Sequence, residues 1–186
     1  MSLSHAILGL LNYRPATGYE LKAVFERSIH FFWNANLPQI YRTLGDMLDR
    51  GWLEVKVEHR DGRPSRKVYS VTGAGREELR RWLAAPPEVP PPRNPLLLKV
   101  FFGRQIDRAT LAGHLRGWRD RHAALLARYD REIAPLIRQY AALAGAEGDA
   151  RYWELTLDFG RRFSRMVVDW CDAALARITG EEQGRG

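Results

Sequence analysis

Residues 34–72 read NANLPQIYRTLGDMLDRGWLEVKVEHRDGRPSRKVYSVT, and this stretch predicts a helix followed by a β-hairpin. Asn36 can cap the helix, because its side chain can accept a hydrogen bond from a free backbone N–H of the first turn. Gln39 lies three residues later, where its side chain can bond back to the cap and complete a capping box. Pro38 fits the first turn, and Gly51 is expected to end the helix. The apolar stripe of this helix comprises Leu37, Ile40, Leu44, Met47 and Leu48.

The opposite face of the predicted helix carries polar side chains near its N-terminus. It includes Gln39, Arg42 and Thr43, and Tyr41 lies beside the apolar stripe. Side chains of these types can read base edges when a helix enters the major groove of DNA. We therefore predict base or nearby phosphate contacts by Gln39, Tyr41, Arg42 and Thr43, with Asn36 as a further candidate at the start of the helix.

Two β-branched runs, 53–57 and 67–71, flank the turn residues 61–64 (DGRP) and predict the hairpin. From Lys56 to Lys67 the sequence has five basic and two acidic residues. Such a hairpin can bind phosphates or lie along a minor groove, or it can simply be solvated. Directly after a polar-faced helix the first interpretation is favoured, and the predicted phosphate contacts are Arg63, Arg66 and Lys67.

A second capping-box pattern, Thr17 and Glu20, predicts another helix upstream. Helix, helix and hairpin in this order predict a winged helix-turn-helix. In that arrangement the upstream helix crosses the DNA backbone, so Tyr19 and Lys22 are predicted phosphate contacts. A packed tyrosine and a solvated lysine are the alternative. Between the two helices, Ile29, Phe31, Phe32 and Trp33 predict core packing or, alternatively, the wall of an aromatic ligand pocket.

Seven short segments of the first half of the chain occur in an order typical of one regulator family. They are 5–11 (HAILGLL), 18–21 (GYEL), 39–44 (QIYRTL), 51–53 (GWL), 67–72 (KVYSVT), 75–76 (GR) and 82–83 (WL). With them the chain resembles the PadR family of transcriptional regulators, and 98–102 (LKVFF) resembles the opening of that family's long helical C-terminal domain. Residues 34–38 depart from the family pattern. The resemblance implies a DNA-binding regulator that is released by a small molecule, often aromatic or amphipathic.

A proline-rich segment divides the chain, since six of the twelve residues at 84–95 are proline. It predicts a semi-rigid spacer rather than an SH3-type ligand. We predict a winged helix DNA-binding domain at 1–84, a linker at 85–95, a helical dimerisation and effector domain at 96–180 and a disordered tail at 181–186. The predicted fold class is mainly α, with an N-terminal winged helix-turn-helix (an α/β wing) and a C-terminal long-helix dimerisation domain.

The second half predicts three helices, at 96–102, 107–143 and 150–178. Pro135 should kink the long helix, and its heptad seam slips by one residue after Tyr129. Two such helices cover each other only partly, so apolar surface would remain exposed on a monomer. We predict a symmetric homodimer, which also presents two reading helices to a palindromic duplex. The predicted apolar stripe of the last helix comprises Phe159, Phe163, Met166, Val167, Trp170 and Ala174.

Several functional classes lack a sequence signal. The five histidines and the lone Cys171 show no metal-ligand spacing, and there is no glycine-rich phosphate loop or nucleophile elbow. We therefore expect neither an enzyme nor a metal or cofactor. A single cysteine excludes an internal disulfide, and no apolar run reaches the length of a membrane span, so a cytoplasmic protein is expected. The net charge of +7 suits a polyanionic partner.

Two questions remain open at this point, namely the role of the tryptophans and the function of the protein. Trp118, Trp153 and Trp170 lie in the C-terminal half, where they can form an effector site or simply belong to the core. The winged helix can read double-stranded DNA, or it can serve as a protein-interaction module whose basic face binds an acidic partner. Sequence preference on DNA distinguishes these two, because phosphate contacts alone carry no sequence information. A third possible function, after DNA reading and protein interaction, is that of an enzyme with a pocket that the sequence does not reveal.

Overall fold

The computed structural model describes residues 2–29, 32–60, 63–87, 91 and 93–180, and these residues are mostly helical. The predicted turn residues 61–62, part of the linker (88–90 and 92), Phe31 and the tail 181–186 lie outside the described residues. The chain forms two compact units, Met1–Glu88 with Tyr140–Glu147, and Val89–Gln139 with Gly148–Gly186. The mainly α fold class is confirmed, whereas the domain limits at 84, 95 and 180 stay predictions.

The first unit contains a helix-turn-helix followed by a hairpin and a further helix. The hairpin pairs antiparallel, with Leu53 opposite Val71 and Glu58 opposite Arg66. Ala16 adds a short bridge at its edge, because it and Tyr69 exchange backbone hydrogen bonds of 3.1 and 2.9 Å. This bridge fixes the hairpin against the turn before the second helix. The elements are α1 (Ser2–Tyr13), α2 (Gly18–Arg27), α3 (Leu37–Asp49), β1 (Leu53–Arg60), β2 (Arg63–Val71) and α4 (Gly73–Ala84).

The predicted helix starts of this unit are confirmed. At α3, Asn36 Oδ1 accepts from the backbone N–H of Gln39, and Gln39 Oε1 accepts from that of Asn36, both at 2.9 Å. Thr17 and Glu20 form the same reciprocal pair at α2. Each box satisfies two backbone donors that the first helical turn leaves without intrahelical partners.

The end of α3 also follows the sequence prediction. Gly51 adopts a φ of +69°, a left-handed conformation that glycine takes without a Cβ clash. Its N–H donates to the carbonyl of Leu48, and the N–H of Trp52 donates to that of Met47. This pair of bonds is the Schellman motif, which satisfies carbonyls at the helix end and turns the chain into β1.

The core of the first unit gathers residues from all three leading helices and the hairpin. Ile40, Leu44 and Met47 of α3 are fully buried in it, as their spacing predicts. The loop before α3 behaves differently. Ile29 packs against the core, but Phe32 and Trp33 are exposed. Core packing is therefore wrong for these two aromatic residues, because both their N–H groups bond to the Ile29 carbonyl in a tight turn that leaves them outside.

The remaining helices include one irregular turn. A π-helical turn spans Tyr129–Ile133, and in it the N–H of Ala134 donates to the carbonyl of Tyr129. It accommodates the one-residue register slip predicted at this place, and it comes directly before Pro135, which has no N–H to continue a regular ladder. The elements are α5 (Pro95–Phe101), a 3-10 turn (Gly103–Gln105), α6 (Arg108–Arg128), the π turn, α7 (Ala134–Ala144) and α8 (Glu147–Gly180).

The buried face of α8 differs from the predicted stripe. Of that stripe Val167 is buried, while Phe159, Phe163, Met166 and Trp170 are exposed. Small residues make this possible, because Gly160 and Ser164 leave room for large side chains of the facing helix. The side chain of Tyr129 lies 3.0 Å from the place where a Cβ on Gly160 would be. The buried face runs through Leu157, Gly160, Ser164, Val167 and Cys171 in alternating steps of three and four.

Two further features of these helices bear on function. Cys171 is buried, and burial raises the pKa of its thiol, which disfavours the reactive thiolate. Among the described residues, no helix is both long enough and apolar enough to cross a membrane.

Candidate nucleic-acid interface

The exposed face of α3 is the centre of the candidate interface. Gln39 and Arg42 are exposed on its N-terminal half, whereas Asp46 and Asp49 are exposed on its C-terminal half. Carboxylates repel phosphate, so the N-terminal half is the part suited to approach a polyanion. Arg42 is not held by an ion pair within the described residues. It is therefore the best-placed base-reading side chain of the predicted set.

Thr43 is turned away from that face. It is half-buried and lines a cleft of about 150 Å³ together with Leu3 and Ser4 of α1 and Asp46 and Trp52. The sequence placed it on the outer face because helical spacing alone does not show where a neighbouring helix packs. In the folded unit Thr43 lies at the flank of α3 that faces α1.

The capping box engages two of the predicted DNA-contacting side chains. Asn36 and Gln39 are exposed, yet each already uses its side-chain oxygen to cap the helix. A bidentate contact of Gln39 with adenine would need that oxygen as well as the amide nitrogen. While the cap is intact, Gln39 can offer a base only its N–H donors.

Aromatic side chains surround the start of α2. Tyr19 is 72% exposed, and Tyr41 of α3 lies with its ring over Gly18, where an added Cβ would be 2.6 Å from the ring. Tyr69 is buried next to them, and burial, with a smaller contribution from Tyr41, raises its pKa. The missing side chain at position 18 thus permits the contact between Tyr41 and the first turn of α2.

Lys22 is engaged within the protein. Its Nζ donates to the carbonyl of Ala35 at 3.0 Å and lies 3.0 Å from a carboxylate oxygen of Glu26. These contacts hold the segment before α3, which is itself capped at Asn36. Lys22 therefore positions the start of α3, and a phosphate would have to compete for its ammonium group.

The basic residues of the hairpin differ in their exposure and in their ion pairing. Lys67 is exposed, and the side chain of Arg63 lies outside the described residues. Arg66 is paired, because its Nε donates to Glu58 Oε2 at 2.6 Å and its Nη1 lies 3.9 Å from Glu20 Oε1. The pKa of the Glu20 carboxyl is lowered, first by the backbone N–H of Thr17 and further by Arg66 and Arg14.

The sequence analysis identified neither the acidic partners of Arg66, which are Glu58 and Glu20, nor the positive charge of Arg14 near Glu20. A signal for Glu58 existed, since the hairpin register places it opposite Arg66. No sequence signal links Glu20 to Arg66, because the two residues come from different elements. Arg14 is exposed in the turn before α2, and its positive charge acts on Glu20.

The three tryptophans predicted for an effector site do not line a common site within one chain. Trp153 and Trp170 are 17 residues apart on α8, which corresponds to about 25 Å along a helix. Trp118 packs against the core around Leu115, and its ring centroid lies 5.4 Å from that of His122.

A buried polar cluster lies beside Trp118. His122 Nδ1 is 3.1 Å from Ser164 Oγ, and Ser164 also bonds to the side chain of Tyr129. Burial, with a smaller contribution from Arg121, lowers the pKa of His122. The histidine is therefore held neutral among aromatic rings, including Phe163 at a centroid distance of 5.7 Å.

Known proteins resemble both parts of the chain. Residues 7–81 match the transcriptional regulator PadR-like family, and residues 92–179 match the family described as virulence activator alpha C-term. The Mycobacterium tuberculosis protein named "Probable transcriptional regulator Rv1176c" is 35% identical over 182 residues, which cover 92% of this chain and 95% of that protein. The chain belongs to the PadR-like family of transcriptional regulators. This membership confirms the resemblance, and it also confirms that the protein is not an enzyme.

Solved structures show that this PadR-like regulator has the winged-helix fold of its family. The crystal structure of Bacillus subtilis PadR in complex with operator DNA matches with a TM-score of 0.79 at 24% identity, over 96% of this chain and 99% of that one. Vibrio cholerae virulence activator AphA matches with a TM-score of 0.74 at 28% identity, over 97% and 99%. Bacillus subtilis PadR has also been solved with p-coumaric acid. The winged helix-turn-helix prediction is confirmed.

Proposed function

We propose that this PadR-like regulator is a homodimeric repressor that binds a palindromic operator duplex. The observation that carries the proposal is the exposed N-terminal half of α3, on which Arg42 forms no ion pair with the residues that the structure describes, and the basic hairpin beside it. A helix presented in this way can enter the major groove while a basic hairpin lies on the adjacent backbone. The Bacillus subtilis relative with the same fold was crystallised with operator DNA, which supports this assignment.

The proposed contacts divide into two groups. Arg42, with Gln39 and Tyr41 beside it, reads bases or contacts the phosphates next to them. Tyr19 and Lys67 bind phosphate, because both are exposed. Asn36 and Lys22 hold the start of α3 through hydrogen bonds within the protein, and Thr43 lies at the flank of that helix, so the predicted DNA contacts of these three residues are secondary in the proposal. Arg63 and Arg66 complete the phosphate-binding group of the hairpin.

The second copy in the proposed dimer packs on the exposed stripe of α8. Six large apolar residues follow one another there in steps of three or four, and a solvent-exposed stripe of this length is unusual for a monomer. The pattern is that of a helix that pairs with another helix. Leu98 and Phe101 of α5 are exposed as well. The stripe comprises Tyr152, Leu155, Phe159, Phe163, Met166 and Trp170.

Repression is proposed rather than activation, because a dimer that occupies a promoter needs no further partner. The relatives differ in this respect, since one is named the negative transcriptional regulator PadR and another a virulence activator. A reporter gene behind the operator distinguishes the two roles. Deleting the regulator gene should raise the reporter signal, and a fall would indicate activation.

We further propose that a small aromatic acid releases the protein from DNA. The support is the p-coumaric acid complex of the Bacillus subtilis relative. Such a ligand must bind the DNA-free state more tightly than the DNA-bound state, or it cannot shift the equilibrium. Titrating p-coumaric acid into the operator complex tests this, and an unchanged complex at saturating acid would remove this part of the proposal.

Binding to a panel of palindromic and scrambled duplexes at two salt concentrations tests the central proposal. A few palindromes that remain bound at the higher salt concentration are expected, since base contacts persist when phosphate contacts weaken. Equal binding of all duplexes that disappears with salt would leave only a basic surface. The protein-interaction alternative would then be the better explanation.

A further inference from the structure

The guanidinium group of Arg66 lies between two carboxylates. Glu58 faces it across the hairpin and accepts its Nε hydrogen bond at 2.6 Å, and Glu20 of α2 lies at 3.9 Å from its Nη1. Arg66 forms an ion pair with each carboxylate, and the shorter of the two distances also allows a charge-assisted hydrogen bond. The basic residue at the centre of the hairpin is therefore already paired in the free protein.

The carboxylate of Glu20 is fixed in place. Its Oε2 accepts the backbone N–H of Thr17 at 2.7 Å as part of the capping box, and the other oxygen, Oε1, is the one that faces Arg66. Glu20 therefore cannot leave Arg66 without disturbing the start of α2. Among the described residues, Glu58 forms no hydrogen bond other than the one with Arg66 that would fix its carboxylate in this way. The pair between Glu58 and Arg66 is the one that can open.

We propose that Glu58 limits the affinity of the hairpin for DNA by competing with phosphate for Arg66. This inference rests on the proposed function, in which the hairpin lies on the DNA backbone. On a non-operator duplex the hairpin docks loosely and the pair stays closed, so Arg66 adds nothing to general affinity. On the operator, base contacts by α3 bring the backbone close, and Arg66 exchanges Glu58 for a phosphate.

Glu58→Gln tests the proposal directly, because glutamine keeps the shape of the side chain and removes its charge. Freed from the carboxylate, Arg66 should bind any phosphate. We expect a two- to five-fold stronger binding of a scrambled duplex, in the range by which an exposed ion pair typically shifts an equilibrium. The dependence of log affinity on log salt should steepen by about 0.9, the increment for one added phosphate contact. Operator binding should strengthen by at least the same factor, because Arg66 no longer has to leave Glu58 before it reaches the operator phosphate.

Glu54→Gln is the matched control. Glu54 is exposed on the same strand and, four residues away, on the same face, so the variant makes the same change in net charge. It lies about 13 Å from Glu58 along the strand, beyond the screening length of about 8 Å at physiological salt. Glu54→Gln should therefore leave Arg66 paired and strengthen binding to either duplex by less than Glu58→Gln does. If the two variants had equal effects, the change in net charge alone would explain them, and the proposal would be overturned.

Two further measurements test whether Glu58 acts on DNA binding through Arg66. In an Arg66→Gln background, Glu58→Gln should have no further effect on the affinity for scrambled DNA, and a persisting effect would overturn the proposal. Glu20→Gln retains the capping box, in which glutamine substitutes for glutamate. It should strengthen scrambled binding in the same direction as Glu58→Gln, but by less. If Glu58→Gln weakens binding to all duplexes, the residue is structural and the proposal fails.

The proposed function and this inference fail in different ways. If the unmodified protein shows no sequence preference in the duplex panel, the DNA-reading function itself is refuted before any variant is compared. If it discriminates between operator and scrambled duplexes and Glu58→Gln leaves both affinities unchanged, only the role of Glu58 is refuted.

Discussion

Replacing Phe159 with serine should dissociate the proposed dimer while leaving each protomer folded. Phe159 lies in the middle of the exposed stripe of α8, and its ring stacks on Phe163 at a centroid distance of 6.3 Å. It takes no part in the buried face of α8, which runs through Gly160 and Ser164. Loss of the ring therefore leaves the core of the unit intact and removes contact area from the surface assigned to the second copy.

The magnitude follows from the exposed area. Phe159 is 68% exposed, so about 140 Å² of a phenylalanine that can bury about 200 Å² is available to a partner. At about 25 cal/mol per Å² this area contributes about 3 kcal/mol. Because a symmetric interface contains the residue twice, full burial of both copies amounts to about 6 kcal/mol, or about four orders of magnitude in the dissociation constant of the dimer.

Sedimentation velocity over a range of protein concentrations measures this dissociation constant. Leu83→Ser is the matched control, since Leu83 is exposed to a similar extent, 66%, but lies on α4 outside the stripe. Circular dichroism should show unchanged helix content in both variants. The reasoning is refuted if Phe159→Ser dimerises as tightly as the unmodified protein, or if Leu83→Ser weakens the dimer by the same factor.

Three further outcomes are expected. Arg42→Ala should lose about 1–3 kcal/mol of discrimination between operator and scrambled duplexes in competition binding, and an equal loss on both would make Arg42 a phosphate contact. Gly18→Ala places a methyl group 2.6 Å from the Tyr41 ring, so operator affinity should fall with little change in melting temperature; unchanged affinity would show that the position of Tyr41 is unimportant. Because burial lowers the pKa of His122 below its ordinary value of 6.5, the unfolded chain takes up the proton first, and the free energy of unfolding should decrease as pH falls from about 7 through 6.5. Urea unfolding of His122→Asn should show a shallower decrease over this interval, and parallel curves for variant and unmodified protein would contradict the reasoning.

The elements that the sequence predicts best are those decided by neighbours in the chain. Asn36 with Gln39 and Thr17 with Glu20 identify helix starts because both partners of each bond lie within one helical turn. Gly51 identifies a helix end for the same reason. The buried stripe of α3 follows from the spacing of Ile40 and Leu44. Each of these predictions depends only on local backbone geometry, which can be inferred from residues that are close together in the sequence.

The features that the sequence does not predict depend on contacts between distant residues. Thr43 lies at the flank of α3 because α1 packs beside it, and Arg66 has a second carboxylate partner because α2 places Glu20 near the hairpin. On α8, hydrophobicity alone favours the aromatic stripe as the buried face. The small residues Gly160 and Ser164 are buried instead, because they complement Tyr129 and His122 of the facing helical segments.

The capping box of α3 constrains how this regulator can evolve. The same glutamine that stabilises the first turn of the helix is a proposed base contact, so any substitution at Gln39 other than glutamate also removes a cap. Loss of a helix cap typically destabilises a protein by about 1 kcal/mol. Arg42 carries no such structural duty among the described residues. Lineages that acquire new operators should therefore vary first at position 42, and position 39 should change only together with a compensating change at position 36.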